Sequence, residues 1–195
     1  MFAAINPYLA VINPILFWFL IFMLVWQAYN LIFNRGVPNI RTAPAIRKKI
    51  IEILKEDCAA RGKTSYTIID LGSGNGLFTR QIAASMPHAR VIGLEISQQS
   101  VWWSMMHKRW RKLGNLEYKR ADFFAYDLSE ADAVVMYLVS TLMESLGKKL
   151  HQDLKPGTLV SSNRFRLGDG WEPDEMIKTK TLYFHQGKTY IYRKT

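Results

Sequence analysis

Cysteine is nearly missing from this chain: Cys58 is the one cysteine in 195 residues. A lone thiol excludes an intramolecular disulfide, and with it the disulfide-stapled secreted scaffolds, and it fits a reducing compartment. Histidine is scarce too. His88, His107, His151 and His185 stand apart, without the paired Cys/His spacing that holds zinc, so no metal is implied. Charge is missing from one end: no charged side chain precedes Arg35, so the net +10, from 26 Lys and Arg against 16 Asp and Glu, belongs wholly to residues 35–195. There is no internal repeat and no low-complexity tract, and 195 residues suit one globular domain with a sizeable core.

The uncharged end reads YLAVINPILFWFLIFMLVWQAYNLIF over residues 8–33. A spanning helix needs roughly 20 mostly apolar residues, and Ile15 to Trp26 is unbroken, with Trp18, Trp26 and Tyr29 as interfacial aromatics. A positive n-region and a small-residue cleavage site, the marks of a removable signal, are not evident. Arg35, Arg41, Arg47, Lys48 and Lys49 come soon after, which by the positive-inside rule puts the rest on the cytoplasmic or matrix-like side. The expectation is a single-pass membrane protein. Residues 1–34 form its anchor helix, 35–44 a linker broken by Gly36, Pro38 and Pro44, and 45–195 the globular domain.

Beyond the linker, Ile46, Ile50, Ile53 and Leu54 recur at helical spacing with charges on the other side. The rhythm then alternates. Strands are expected at 67–71, 89–96, 115–121, 131–139 and 157–165, and helices at 76–86, 98–113 and 141–154, the last with Leu142, Leu146 and Leu150 on one face. In the helix at 98–113, Trp102, Met106, Trp110 and Leu113 read as a buried stripe, and His107, Lys108, Arg111 and Lys112 as its solvated side. That basic side favours an anionic membrane surface over nucleic acid. The tail, 178–194, is two alternating segments around Gln186 and Gly187, a β-hairpin. The fold class is α/β: a doubly wound, mostly parallel Rossmann-like sheet closed by a C-terminal antiparallel hairpin.

In such a sheet a ligand sits beyond the carboxyl ends of the strands, where strand order reverses, and DLGSGNG, 70–76, falls there. Gly72 and Gly74 permit a sharp turn and a close approach to the backbone. With Ser73 and Asn75 between the glycines, the spacing is G-x-G-x-G and not the dinucleotide G-x-G-x-x-G. Asp70, just before the turn, suits a cationic group better than a pyrophosphate. The second strand ends in Glu95 and Ile96, where an acid can accept from two ribose hydroxyls. After the third come Asp122 and Phe123, an acid for an adenine amino group and an aromatic to line the base. Three acids at three successive strand ends describe a site for an adenosine with a positively charged tail, which is S-adenosyl-L-methionine.

Through IIDLGSGNG, VIGLEIS and KRADFF the chain resembles the seven-strand, class I S-adenosylmethionine-dependent methyltransferases over about residues 40 to 195. A narrower resemblance is to the membrane-anchored protein-lysine methyltransferases related to the enzymes that modify the ATP synthase c-subunit and the adenine nucleotide carrier. It is carried by the apolar N-terminal helix, VPNIRTAP, YLVSTLMESLGKKLHQDLKPGTLVSSNRF and RFRLGDGW. The resemblance implies a lysine substrate on a membrane or membrane-adjacent protein, the c-subunit being one candidate, and puts Thr42 near the cofactor carboxylate. Relatives often have an acid where this chain has Asn75, a departure that removes one polar contact. The fourth strand ends at Tyr137, facing the methyl group, where its ring or hydroxyl orients an amine. The Asn/Asp-Pro-Pro-Tyr/Phe motif of base and amide methylation is missing there. Arg164 and Arg166 come after the fifth strand, beside the expected substrate channel. A small amine or phospholipid headgroup as substrate, and a non-catalytic scaffold that binds the cofactor, stay open as alternatives.

Overall fold

The computed structural model describes residues 7–33, 42–63, 65–168, 170–180 and 187–195, with side chains in the first helix described over 14–28. Most of the linker expected at 35–44, and residues 181–186 of the expected hairpin, with His185, lie outside the described residues. The chain divides into two compact units, Met1–Pro38 and Asn39–Thr195.

The first unit holds helix α1, Pro7–Phe33, with Pro14 inside it. Its described side chains are exposed, Phe22 and Trp26 stacking at 6.1 Å. Among the described residues no helix is long and apolar enough to cross a membrane, which corrects the expectation of a transmembrane anchor and a single-pass location.

The second unit is a Rossmann-like α/β layer structure. Strands β1 (Tyr66–Leu71), β2 (Ala89–Glu95), β3 (Leu116–Arg120), β4 (Ala133–Met136), β5 (Leu159–Asn163), β6 (Glu175–Thr179) and β7 (Gly187–Arg193) form one sheet in the order β3-β2-β1-β4-β5-β7-β6. The first five are parallel, and β7 pairs antiparallel with β5 and β6, so the sheet has the expected antiparallel end; most of the expected first hairpin segment, 178–185, lies outside the described residues, and β6 begins upstream of it at Glu175. Helices α2 (Pro44–Arg61), α3 (Leu77–Ser85), α4 (Gln98–Trp110) and α5 (Met143–Asp153) complete it.

Successive side chains of a strand point to opposite faces, and the core divides accordingly. Ile68, Val91 and Val135 pack with Ile46, Ile50 and Leu54 of α2, Ile82 of α3 and Val101 of α4. Ile69, Ile92 and Val134 pack on the other face with Leu146 and Leu150 of α5 and Tyr192 of β7. Strand order reverses between β1 and β4, so both strands are flanked and almost wholly buried.

One expectation fails for three of the four stripe residues, while Leu113 packs against the core and Arg111 and Lys112 are exposed as expected. The inward residues of α4 are Val101 and Ser104, whereas Trp102, Met106 and Trp110 face outward. Small residues are required inside because the helix lies against the glycine loop: the Ser104 hydroxyl donates to the Gly74 carbonyl at 3.3 Å.

The far end of β1 is held by a buried acid. Asp57 of α2 accepts from the Tyr66 hydroxyl at 2.5 Å and from Arg193 Nη1 at 2.7 Å, and pairs with Arg61 at 2.8 Å. Burial, then this hydrogen bond, push the Tyr66 phenol far above its ordinary range. The cluster ties α2, β1 and β7 together. Replacing Asp57 leaves two cations and a buried hydroxyl without their shared acceptor, so Asp57→Ala should cost about 3 kcal/mol. Urea unfolding, read as a lower midpoint with an unchanged slope, checks it.

Candidate active site

Leu71 closes β1, and the chain must then leave the sheet before α3 can begin. Gly72, Gly74 and Gly76 do this with φ of 70°, 54° and 69°, values that residues with a Cβ rarely adopt. The loop borders a cleft of about 460 Å³, counting space open to solvent, at the reversal between β1 and β4. Asp70 and the loop residues Gly72, Ser73, Gly74 and Asn75 line one side. Thr42, from the segment before α2, and Tyr137, just past β4, line the rest with Arg47, Leu77 and Phe78.

Seven of the sequence candidates therefore meet in one place. Asp70 is buried, and its Oδ2 accepts from the Thr79 hydroxyl at 2.6 Å. Burial, helped by the nearby Glu95 charge and opposed by the Thr79 bond, pushes its carboxyl up to about 7. A cation beside it would reverse part of that cost.

Glu95 reaches the loop from the next strand. Its Oε2 accepts from the Gly74 amide and its Oε1 from the Ser97 amide, each at 2.8 Å. One carboxylate thus braces the glycine loop and the start of α4, and each oxygen keeps acceptor capacity for a further donor. Ile96 comes next, half-buried, its carbonyl accepting from Arg120 Nε at 3.4 Å. Asp122 and Phe123 do not line the cleft. They open a turn after β3 in which Asp122 Oδ1 accepts from the Phe124 amide at 2.9 Å, and Phe123 packs toward the α5 core. Arg166 pairs with Glu172, and the Arg164 guanidinium lies 5.7 Å over the Phe165 ring, so both arginines brace their own loop.

Two residues that position the loop escape a motif search. Tyr118 of β3 pairs in register with Gly93 of β2, lies across it, and donates to the Gly76 carbonyl at 2.9 Å. A Cβ on Gly93 would sit 2.7 Å from the Tyr118 ring, and one on Gly76 2.3 Å from its hydroxyl. Burial pushes that phenol up to about 12. With Ser104 on Gly74, two loop carbonyls are fixed from outside the motif. The signal was present: a glycine inside a strand marks a close approach.

S-adenosylmethionine carries an ammonium and a carboxylate at one end and a ribose diol at the other, and the residues present fit both. Asp70 offers a buried carboxyl, Glu95 offers a carboxylate with spare lone pairs, and Ser73 Oγ is buried with no hydrogen-bond partner among the described residues. A seven-stranded sheet ended by an antiparallel strand pair, with this cleft at the reversal, defines an S-adenosylmethionine-dependent methyltransferase of class I.

Residues 70–175 match the family described as the ANTKMT methyltransferase domain, and the chain belongs to that family. A protein-lysine N-methyltransferase of Saccharolobus islandicus is 30% identical over 145 residues, covering 74% of this chain and 86% of that protein. Among solved structures, an RNA methyltransferase from Salinibacter ruber in complex with S-adenosyl-L-homocysteine superposes with a TM-score of 0.68 at 26% identity, over 79% of this chain and 93% of that one. A magnesium protoporphyrin IX methyltransferase from Synechocystis with bound S-adenosylmethionine shares the fold, at TM-score 0.58 and 14% identity, over 77% and 80% of the two chains.

Removing the Tyr118 hydroxyl frees the Gly76 carbonyl without emptying the core. Tyr118→Phe should weaken S-adenosylmethionine binding about fivefold, one neutral hydrogen bond's worth, and Gly93→Ala more, with unchanged far-UV dichroism; calorimetric titration reads both. Asp70 makes a second prediction. Between about pH 4 and about 7 the folded apoprotein keeps the Asp70 proton that the unfolded chain has already released, so this group's contribution to stability falls as pH rises through that window and is level above it. The melting temperature of Asp70→Asn, which retains an acceptor for Thr79, should therefore gain on wild type from pH 5 to about 7.5 and then hold its lead.

Proposed function

We propose that this methyltransferase N-methylates a lysine side chain of a protein in or next to a membrane, an ATP synthase c-subunit being one candidate. The observation that carries the lysine reading is the chemistry of the cleft. Among the described residues lining it, Asp70 is the sole carboxyl, it lies buried, and no histidine accompanies it. Such a cleft has no second acid to act as general base, and Tyr137 offers a ring face and a hydroxyl to an amine. The lysine methyltransferase from Saccharolobus islandicus supports the same substrate class. The membrane part rests on the narrower family resemblance carried by VPNIRTAP and RFRLGDGW.

In this reading Asp70 takes the amino group of the methyl donor, Thr42 lies by its carboxylate, and Gly72, Ser73, Gly74 and Asn75 carry its amino-acid end on their backbone. Glu95 accepts from the ribose hydroxyls. Ile96, Asp122 and Phe123, which lie outside the cleft, would hold the adenine. When bound, S-adenosylmethionine supplies an electrophilic methyl carbon on a sulfonium, so the N–CH3 bond forms as the S–CH3 bond breaks. The protein contributes alignment, the larger part of what such a displacement needs. A lysine ammonium, ordinarily titrating near 10.4, loses its proton more readily in a partly desolvated cleft. Tyr137 then holds the neutral amine, and the proton goes to water.

Tritiated methyl transfer from S-adenosylmethionine into host membranes tests this, with protein resolved from lipid before counting. Wild type should label a protein band that Glu95→Ala does not, and acid hydrolysis of that band should release methyl-lysine. Label confined to lipid would move the activity to a headgroup methyltransferase.

A further inference from the structure

Helix α4 presents an apolar face that no other described element of its own unit covers. Trp102, Met105, Met106 and Trp110 recur at i, i+3, i+4 and i+8, which places them on one side of a helix, and Trp103 borders them. Trp102 is 60% exposed and Trp110 85%, values far above those of the tryptophan that the fold uses as core, Trp171 at 8%. An isolated exposed apolar residue needs no explanation, but a contiguous patch of three tryptophans and two methionines marks an interaction surface.

The charges beside the patch select its occupant. From Gln98 to Leu113 there is no acid, while Lys108, Arg109, Arg111 and Lys112 sit within or beside the last turn. Among the described residues none of these four cations is held in an ion pair. A second copy of the chain would set these cations against their own kind, which opposes self-association. Apolar side chains on the outward face with cations around its end are instead the arrangement of a helix lying in a bilayer interface: tryptophan and methionine enter the headgroup and acyl boundary, and the cations meet anionic lipid. We propose that the outward face of α4 docks the methyltransferase domain peripherally on an anionic lipid surface. This contact lies in the plane of the interface and crosses nothing. It is independent of which residue is methylated.

The inward residues of the same helix give the contact a second property. Ser97 caps α4 and is held by Glu95, and Ser104 holds Gly74. The docking face is thus the back of the helix whose front supports the glycine loop, so the cleft keeps a set orientation toward the surface on which α4 lies.

The test uses the full chain with Trp18→Phe and Trp26→Phe, so that tryptophan emission comes from α4 and from buried Trp171. Vesicles of phosphatidylcholine with brominated phosphatidylglycerol should quench this emission, and vesicles of phosphatidylcholine alone should bind at least about tenfold more weakly. Adding Lys108→Glu and Arg111→Glu should weaken anionic vesicle binding by about tenfold or more, and adding Trp102→Ala and Trp110→Ala should do the same, each with S-adenosylmethionine affinity retained as the control for folding. Three outcomes would overturn the proposal. These are unquenched emission with vesicles at any anionic content, a dimer in sedimentation that the same substitutions dissolve, and single-stranded RNA binding that they abolish without vesicle binding.

Discussion

Tyr118 lying flat over Gly93 is the contact on which the site depends. Its ring occupies the space that a side chain at position 93 would fill, and its hydroxyl ends at the carbonyl of Gly76. Because β2 and β3 are locked in register at this pair, the height of the glycine loop above the sheet is set by the length of one phenol. Ser104 fixes the loop from the side, and Glu95 pins the Gly74 amide from below while capping the turn into α4. Three neighbouring elements therefore hold a loop whose own residues, chosen for positive φ, have little conformational preference.

The two ends of β1 are treated differently by the same physical rule. A buried acid must be paired or neutral. At one end Asp57 is paired, with two arginines and a tyrosine hydroxyl, and serves to join elements distant in sequence. At the other, Asp70 accepts, among the described residues, from a threonine hydroxyl and faces a cleft, and its burial pushes its carboxyl up to about 7. The first arrangement stabilises the fold and the second stores an unmet demand for positive charge. In the proposed binding mode, the ammonium of the methyl donor meets that demand.

Much of this was legible in the order of residues. Alternation of buried strands and amphipathic helices yields the doubly wound sheet, and the period-2 tail yields β7, because these patterns record which side chains must leave water, whereas its partner β6 starts ahead of that tail. The cleft residues from Asp70 to Asn75 and Tyr137 were legible because strand ends at a topological reversal are where ligands sit. Asp122 and Phe123 stand at the expected strand end but outside the cleft, because the chain closes its own turn there, with Asp122 accepting from Phe124. Tyr118 went unread although Gly93 announced a close approach, since the partner that approaches lies 25 residues away.

Periodicity found the stripe on α4 and misjudged its direction. A sequence shows that Trp102, Met106 and Trp110 share a face; it does not show whether the sheet will have room for them. Glycine content, hydrophobic rhythm and charge placement determined the sheet, the loop and the class of ligand, because each is a local response to backbone sterics and water. Only the tertiary structure decided which face of α4 turns inward, which acids line the cleft and how Asp70 titrates. Those depend on the space left between elements brought together from far apart in the chain, a quantity that no short stretch of residues carries.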